Sequence, residues 1–344
     1  MLLDPCSLPF LGDLKSRVVM SAMTRGFAGP GHAATPEIAE YYGRRADSGV
    51  GLILTEGTII DASADGYNDV PHIATHQQTE SWRQVVDRVH ASGAKIFSQL
   101  WHCGRISHSD YTGGLAPVSS TGRAAEGHNR QNDKPFGTPR ALETAEMPTV
   151  YAMFGKAAKN ALDAGFDGVQ LHMGHGYLVD QFFDARVNDR TDAYGGSVAN
   201  RCRFALEALE SVLGEIDPEK LMVRISPSRD MGGLYDWPDL DDMLNYLIPG
   251  FQALGLKMLD VSCARADYYE TSGRIIRMVR PQWQGLLMGG ASLDRDQAEQ
   301  ELSEGLVDLV TWGRHILANP DFVARLSANK PLDDFDPSML SSLN

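Results

Sequence analysis

Three side chains that can hold or pass protons stand close together in one short stretch: His172, His175 and Tyr177. Both imidazoles can donate N–H bonds to an anionic or carbonyl oxygen, and the phenol can give up a proton. Histidines three residues apart also suit a metal ion, and a Gly-rich turn can hold such residues by hydrogen bonding alone. The stretch by itself leaves these readings level. What precedes it is a short apolar run, Gly165-Phe166-Asp167-Gly168-Val169-Gln170-Leu171, bounded by Gly and Asp, which reads as a buried strand. The proton-handling groups therefore sit where a strand gives way to a loop.

Similar runs recur along the chain. Val18–Met23, Gly51–Gly57, Lys95–Leu100, the run ending at His172, Leu221–Ser226, Met258–Ser262, Gly285–Gly290 and Asp308–Arg314 are read as strands. Helical patterns fall between them, near 36–48, 82–89, 149–165, 197–216, 239–254, 273–279 and from Asp294, with a last one near 319–328. Eight apolar strands alternating with helices predict a TIM (β/α)8 barrel, with an N-terminal cap and a long loop insert after strand 3, roughly Ile106 to Met147. An open doubly wound sheet is the competing arrangement, weakened by the count and by the lack of a G-x-G-x-x-G after any strand. No boundary divides the chain, so residues 1–344 read as one domain.

Barrel chemistry sits on the loops that follow the strands. The residues there are Thr24, Glu56-Gly57, Gln99 with Trp101-His102, His172 with His175 and Tyr177, Arg224, Ser262, Gly289-Gly290 and Gly313-Arg314. Glycines closing strands 7 and 8, with Arg314 beside them, suit a phosphate; tight turns alone account for any single one of them. Arg224 within an apolar strand needs an anionic or acceptor-rich partner, and a buried ion pair with Glu56 is the plain alternative to a ligand. Gln99 offers an acceptor and two donors, matching either the edge of a heterocycle or an ordinary core amide. Together they suggest a phosphorylated heterocycle across the barrel mouth. No Lys ends a strand, which disfavours a Schiff-base aldolase. No H-x-H opens the first strand and few carboxylates reach the barrel end, which disfavours a metal-dependent hydrolase.

The totals set the outer bounds. With 344 residues the chain can bury a full core. A net charge of −14 without long basic runs disfavours nucleic acid and anionic membranes as partners. Cys6, Cys103, Cys202 and Cys263 are scattered with no C-x-x-C pair, which disfavours zinc ribbons and iron–sulfur clusters. The start lacks the pattern of a signal peptide and no run has membrane-spanning length, so a cytoplasmic protein is the expectation.

The ordered series Met23-Thr24-Arg25, Glu40-Tyr41-Tyr42, Thr55-Glu56-Gly57, Gln99-Leu100-Trp101-His102-Cys103-Gly104-Arg105, His172-x-x-His175-Gly176-Tyr177-Leu178, Asn188-Asp189-Arg190-Thr191-Asp192-Ala193-Tyr194-Gly195-Gly196-Ser197 and Gly313-Arg314 resembles the old yellow enzyme family of FMN-dependent ene-reductases. The match runs from about Asp4 to Arg325. The resemblance implies tightly bound FMN, its phosphate near Gly289, Gly290, Gly313 and Arg314, its ring near Met23, Thr24, Gly57, Gln99 and Arg224. It further implies that His172 and His175 grip a substrate oxygen, that Tyr177 is the proton donor, and that Tyr67 and Trp101 line the substrate pocket. NADPH or NADH would supply the hydride in a ping-pong cycle, with enones and nitro compounds as substrates and a monomer or homodimer as the assembly. No metal is expected. A specialised desaturase or isomerase, or a flavin-binding barrel without turnover, are the rival outcomes. The segment Ser228–Trp237 departs from the family pattern, and no Gly- and Tyr-rich C-terminal extension is present before Asn344.

Overall fold

The structure is a computed structural model, and it describes residues 1–230, 233–264 and 266–344. Eight parallel strands close into a barrel: β1 Val18–Met20, β2 Leu52–Ile59, β3 Lys95–Trp101, β4 Gly168–His172, β5 Leu221–Ile225, β6 Met258–Val261, β7 Leu286–Gly290 and β8 Leu309–Trp312. The ring closes where β8 pairs with β1, Val310 opposite Val18. Most of these strands are buried along their whole length, which is why they read as unbroken apolar runs.

Side chains pointing inward fill the lower barrel: Leu14, Val19, Leu52, Leu54, Phe97, Met222, Met258, Met288 and Leu309 form one core cluster. The N-terminal hairpin, Cys6–Leu8 paired with Gly12–Leu14, brings Leu11, Leu14 and Phe10 against that cluster and so caps the lower end. A larger cluster lies between the strands and the surrounding helices. Those helices begin where the sequence offers caps. Thr75 and Gln78 form a capping box before His76–His90, and Asp294 and Gln297 form another before Arg295–Ser303. Among the described residues, no helix is long and apolar enough to cross a membrane.

The insert after β3 is more ordered than its composition suggests. Val118–Ser119 pairs with Arg140–Ala141, and His128–Asn129 pairs with Lys134–Pro135. One side chain from the short helix Leu178–Phe183 fastens it to the upper barrel. Gln181 Oε1 accepts from Arg105 N at 3.1 Å and Ser119 Oγ at 2.9 Å, while Nε2 donates to Cys103 O at 3.2 Å and Gly176 O at 2.7 Å. Ser120 Oγ also donates to the Gln181 carbonyl at 2.6 Å. Gly104 is required here, because a Cβ would lie 2.3 Å from Gln181 Oε1. Of the divergent segment 228–237, Ser228–Asp230 pairs with Leu234–Asp236; Met231 and Gly232 lie outside the described residues.

Gln181→Leu would strand several buried partners, each costing about 1–3 kcal/mol, yet touches no barrel strand. The expected result is an unchanged far-UV spectrum with tryptic cleavage between Arg105 and Arg140 accelerated on the order of tenfold or more. Equal cleavage rates in both proteins would show that the insert is held by other contacts.

Candidate active site

His172 ends β4 and is buried, while His175 and Tyr177 follow on a turn that only particular residues can make. A Cβ at Gly174 would lie 2.5 Å from Ser226 Oγ, and Gly176 has a φ of +78°. His175 itself has a φ of +58°, unusual for a residue with a side chain. That backbone is fixed from two sides: His175 N donates to Ser226 Oγ at 2.7 Å, and Gly176 N donates to Asp180 Oδ2 at 2.7 Å. Asp180 is in turn held by Arg229 Nη2 at 2.8 Å and Trp237 Nε1 at 2.8 Å.

The protonation of both imidazoles follows from their neighbours. Gly174 N donates to His172 Nδ1 at 3.2 Å, so the His172 proton sits on Nε2. That atom lies 3.3 Å from His175 Nδ1, which then accepts, leaving the His175 proton on Nε2, 3.2 Å from Ser262 Oγ. Burial, followed by the Arg224 charge, holds both histidines well below the usual imidazole range, so both are neutral near pH 7. The Tyr177 ring stands 5.2 Å from the His172 ring and its hydroxyl lies 2.8 Å from Tyr67 Oη. Burial raises both phenols well above their ordinary value. Trp101 packs against both tyrosines, with ring separations of 4.7 and 4.8 Å. Tyr67, Trp101, His172, His175 and Tyr177 thus form one cluster.

Arg224 closes the floor of that cluster. Its Nη2 donates to Ser262 Oγ at 2.7 Å and Ser21 Oγ at 3.1 Å, and its Nη1 to Ala22 O at 3.4 Å. Its anion is Asp260, 3.4 Å away, and not Glu56. Glu56 instead binds the chain after β1, its Oε2 accepting from Arg25 N and Gly26 N at 2.8 and 2.9 Å. Asp260 and Gln170, on the inner face of β6 and β4, were not singled out from the sequence. Gln99 Nε2 donates to Gln170 Oε1 at 2.7 Å, and Gln170 Nε2 to Asp260 Oδ2 at 3.0 Å.

The glycines are more constrained by packing than by any ligand. A Cβ on Gly57 would lie 2.2 Å from the Trp101 ring, one on Gly289 2.5 Å from Ile276, and one on Gly290 2.1 Å from Thr311 O. A Cβ on Gly313 would lie 3.1 Å from Met23 Sδ, which brings Met23 to the end of β8. Thr24 and Arg314 are exposed near the same rim, and the Arg314 guanidinium lies 5.2 Å from the Phe335 ring.

A family model described as the NADH:flavin oxidoreductase / NADH oxidase family matches residues 2–333. The chain belongs to the old yellow enzyme family. It is similar to 12-oxophytodienoate reductase 1 of Oryza sativa subsp. japonica, 38% identical over 333 residues that cover 95% of this chain and 86% of the relative. The putative 12-oxophytodienoate reductase 2 of the same plant is 37% identical over 333 residues, covering 95% and 87%. Among solved structures it is similar to morphinone reductase in complex with tetrahydroNAD, with a TM-score of 0.88 at 34% identity, covering 98% of this chain and 93% of that one. This old yellow enzyme therefore has the closed barrel of an FMN-dependent NAD(P)H oxidoreductase family. The chain's own donor set fits a flavin. Arg224 brings a buried guanidinium to the barrel mouth with its Nε unpaired by any hydrogen bond, and Gln99 Oε1 makes no bond within the protein among the described residues. Arg314 supplies an exposed cation beside Gly313.

Two features of this old yellow enzyme carried no sequence signal. His32, Asp65 and His72 cluster beside Tyr67, with His72 Nε2 3.0 Å from Asp65 Oδ2 and the His32 and His72 rings stacked at 3.9 Å. Arg25, Arg44 and Arg45 hold the last residues through the carbonyls of Ser342, Leu343 and Asn344.

Burial pushes the Glu56 carboxyl up to about 7, against the partial opposition of the Gly26 and Arg25 amides. The folded protein then holds a proton that the unfolded chain releases above the usual 4.5, so stability falls as pH rises from about 4.5 to about 7. Glu56→Gln keeps an oxygen for both amides and removes the titration. Calorimetry at pH 5 and pH 8 should show the variant losing less Tm than the wild type across that interval. A parallel loss in both proteins would contradict the assignment.

Proposed function

We propose that the protein reduces the activated C=C bond of α,β-unsaturated carbonyl compounds, and also nitro compounds, using NADPH or NADH. The observation that carries this reading is the pairing of two neutral imidazole nitrogens, 3.3 Å apart, with the Tyr177 phenol beside them. Bound FMN would supply the hydride chemistry, taking a hydride from the nicotinamide and delivering one to the substrate β-carbon. Gln99, Arg224, Thr24, Met23 and Gly57 would hold its ring, with Gly289, Gly290, Gly313 and Arg314 at its phosphate. Small molecules are then the natural partners, in the cytoplasm, with one chain or two in the working unit.

The protein's own groups do the rest. A carbonyl or nitro oxygen entering between His172 Nε2 and His175 Nδ1 would take one N–H bond from each. His175 must then carry its proton on Nδ1 and accept at Nε2, and Ser262 is placed to donate there, because its oxygen already accepts from Arg224 Nη2. The oxygen would thereby be polarised by the His172 Nε2–H that already points at it and by a His175 Nδ1–H formed by tautomer exchange, in the manner of an oxyanion hole. Neutral histidines suit this work, since neither can surrender a full proton to the oxygen and leave. Tyr177 would then protonate the α-carbon, with Tyr67 Oη 2.8 Å behind it to steady the developing phenolate. Trp101 and Tyr67 would form the apolar wall that keeps water from the reacting carbons.

Tyr177→Phe should leave bleaching of the flavin by NADPH nearly unchanged and slow its recovery with 2-cyclohexenone by roughly 100-fold. Equal slowing of both half-reactions would remove Tyr177 from the proton-donor role. His172→Ala and His175→Ala should each weaken binding of a phenolate by about tenfold or more, the loss of one hydrogen bond to a charged oxygen. Unchanged phenolate affinity in a spectral titration would show that the oxygen binds elsewhere.

A further inference from the structure

Four buried polar residues run across β3, β4, β5 and β6 inside the barrel: Gln99, Gln170, Arg224 and Asp260. Their direction is set at one end. A carboxylate can only accept, so Gln170 must turn its amide nitrogen towards Asp260, at 3.0 Å. Its oxygen is thereby turned to Gln99, which must answer with its own nitrogen at 2.7 Å. Gln99 is left with its carbonyl oxygen as the group free to meet a donor. The same Asp260 oxygen lies 3.4 Å from Arg224 Nε, while the head of Arg224 is fixed by Ser21, Ser262 and Ala22. Asp260 is 1% exposed, so no solvent screens it from Arg224 or from the site above.

We propose that Asp260 is a positioning residue for the flavin: its carboxylate offsets the Arg224 charge and, through Gln170, turns the Gln99 carbonyl towards the ring, and so holds the reduction potential low. This rests on the flavin reading given above. An unopposed guanidinium would favour the more negative, reduced cofactor; an adjacent carboxylate diminishes that preference and makes the reduced form the stronger reductant. A buried carboxylate facing, among the described residues, one amide donor and one arginine is costly to keep, and burial raises its proton affinity while Arg224 and Gln170 oppose that rise.

The test is the midpoint potential of FMN bound to the wild type and to Asp260→Asn, by equilibration with a reference dye, alongside the dissociation constant for oxidised FMN. The substitution keeps the size of the side chain and an oxygen for Gln170. The expected result is a shift of about tenfold in favour of reduced FMN, about 30 mV for a two-electron couple. Asp260→Ser, with room for a water in place of the carboxylate, should shift the same way and serves if Asp260→Asn does not fold. An unchanged or lowered potential in a variant that binds FMN would overturn the role of Asp260 while leaving the flavin reading intact. A wild type that takes up no FMN would overturn the flavin reading itself, a distinct outcome.

Discussion

A guanidinium inside a closed barrel is the constraint on which the upper half of this structure turns. Arg224 lies on β5 with its head out of solvent, and a buried cation is tolerated only when acceptors surround it. Those acceptors come from β6 and from the residues just past β1: Asp260, Ser262, Ser21 and Ala22. The charge therefore ties together strands from opposite ends of the sequence. It also reaches the neighbouring turn, where it adds to burial in keeping His172 and His175 neutral.

The second constraint is mechanical. A left-handed backbone at His175 survives only because Ser226 and Asp180 bind the peptide groups on either side of it. Asp180 and Gln181 are neighbours on one buried helix, and they divide the task. Asp180 fixes the turn that carries His175 and Tyr177, and Gln181 fixes the insert that flanks it. The side chains proposed to meet a substrate are thus supported by a layer of buried groups behind them. Gly57 fits the same logic: the space its side chain would take is filled by Trp101, so the aromatic wall rests directly on β2.

The sequence carried the barrel well because strands buried on both faces read as continuous apolar runs, and turn residues separate them. Strand ends were less exact. The first strand stops at Met20, where Ser21 N turns to Trp312 O and the chain leaves for the rim. The two-residue strands of the insert are too short for any periodicity to show. His172, His175 and Tyr177 could be found together because one turn holds them. Tyr67 lies 110 residues from Tyr177, and its hydroxyl contact could not be read from spacing. Asp260 was hidden for a similar reason: Gln170, its hydrogen-bond partner, is 90 residues away, and a lone Asp in an apolar run looks like a strand-end residue. The alternative of an ion pair between Arg224 and Glu56 does not hold, because the Glu56 carboxyl accepts from the Arg25 and Gly26 amides while Asp260 stands beside Arg224.

The central claim is that this site passes reducing equivalents from a nicotinamide to an activated double bond. The most direct measurement is an anaerobic stopped-flow trace of the FMN-loaded wild type at the flavin absorption band, with NADPH or NADH added first and 2-cyclohexenone second. Bleaching by the nicotinamide and full recovery with the enone are expected, with one equivalent of cyclohexanone formed per flavin. Bleaching that no enone or nitro compound reverses would contradict it, and would assign the paired histidines and Tyr177 to a different acceptor.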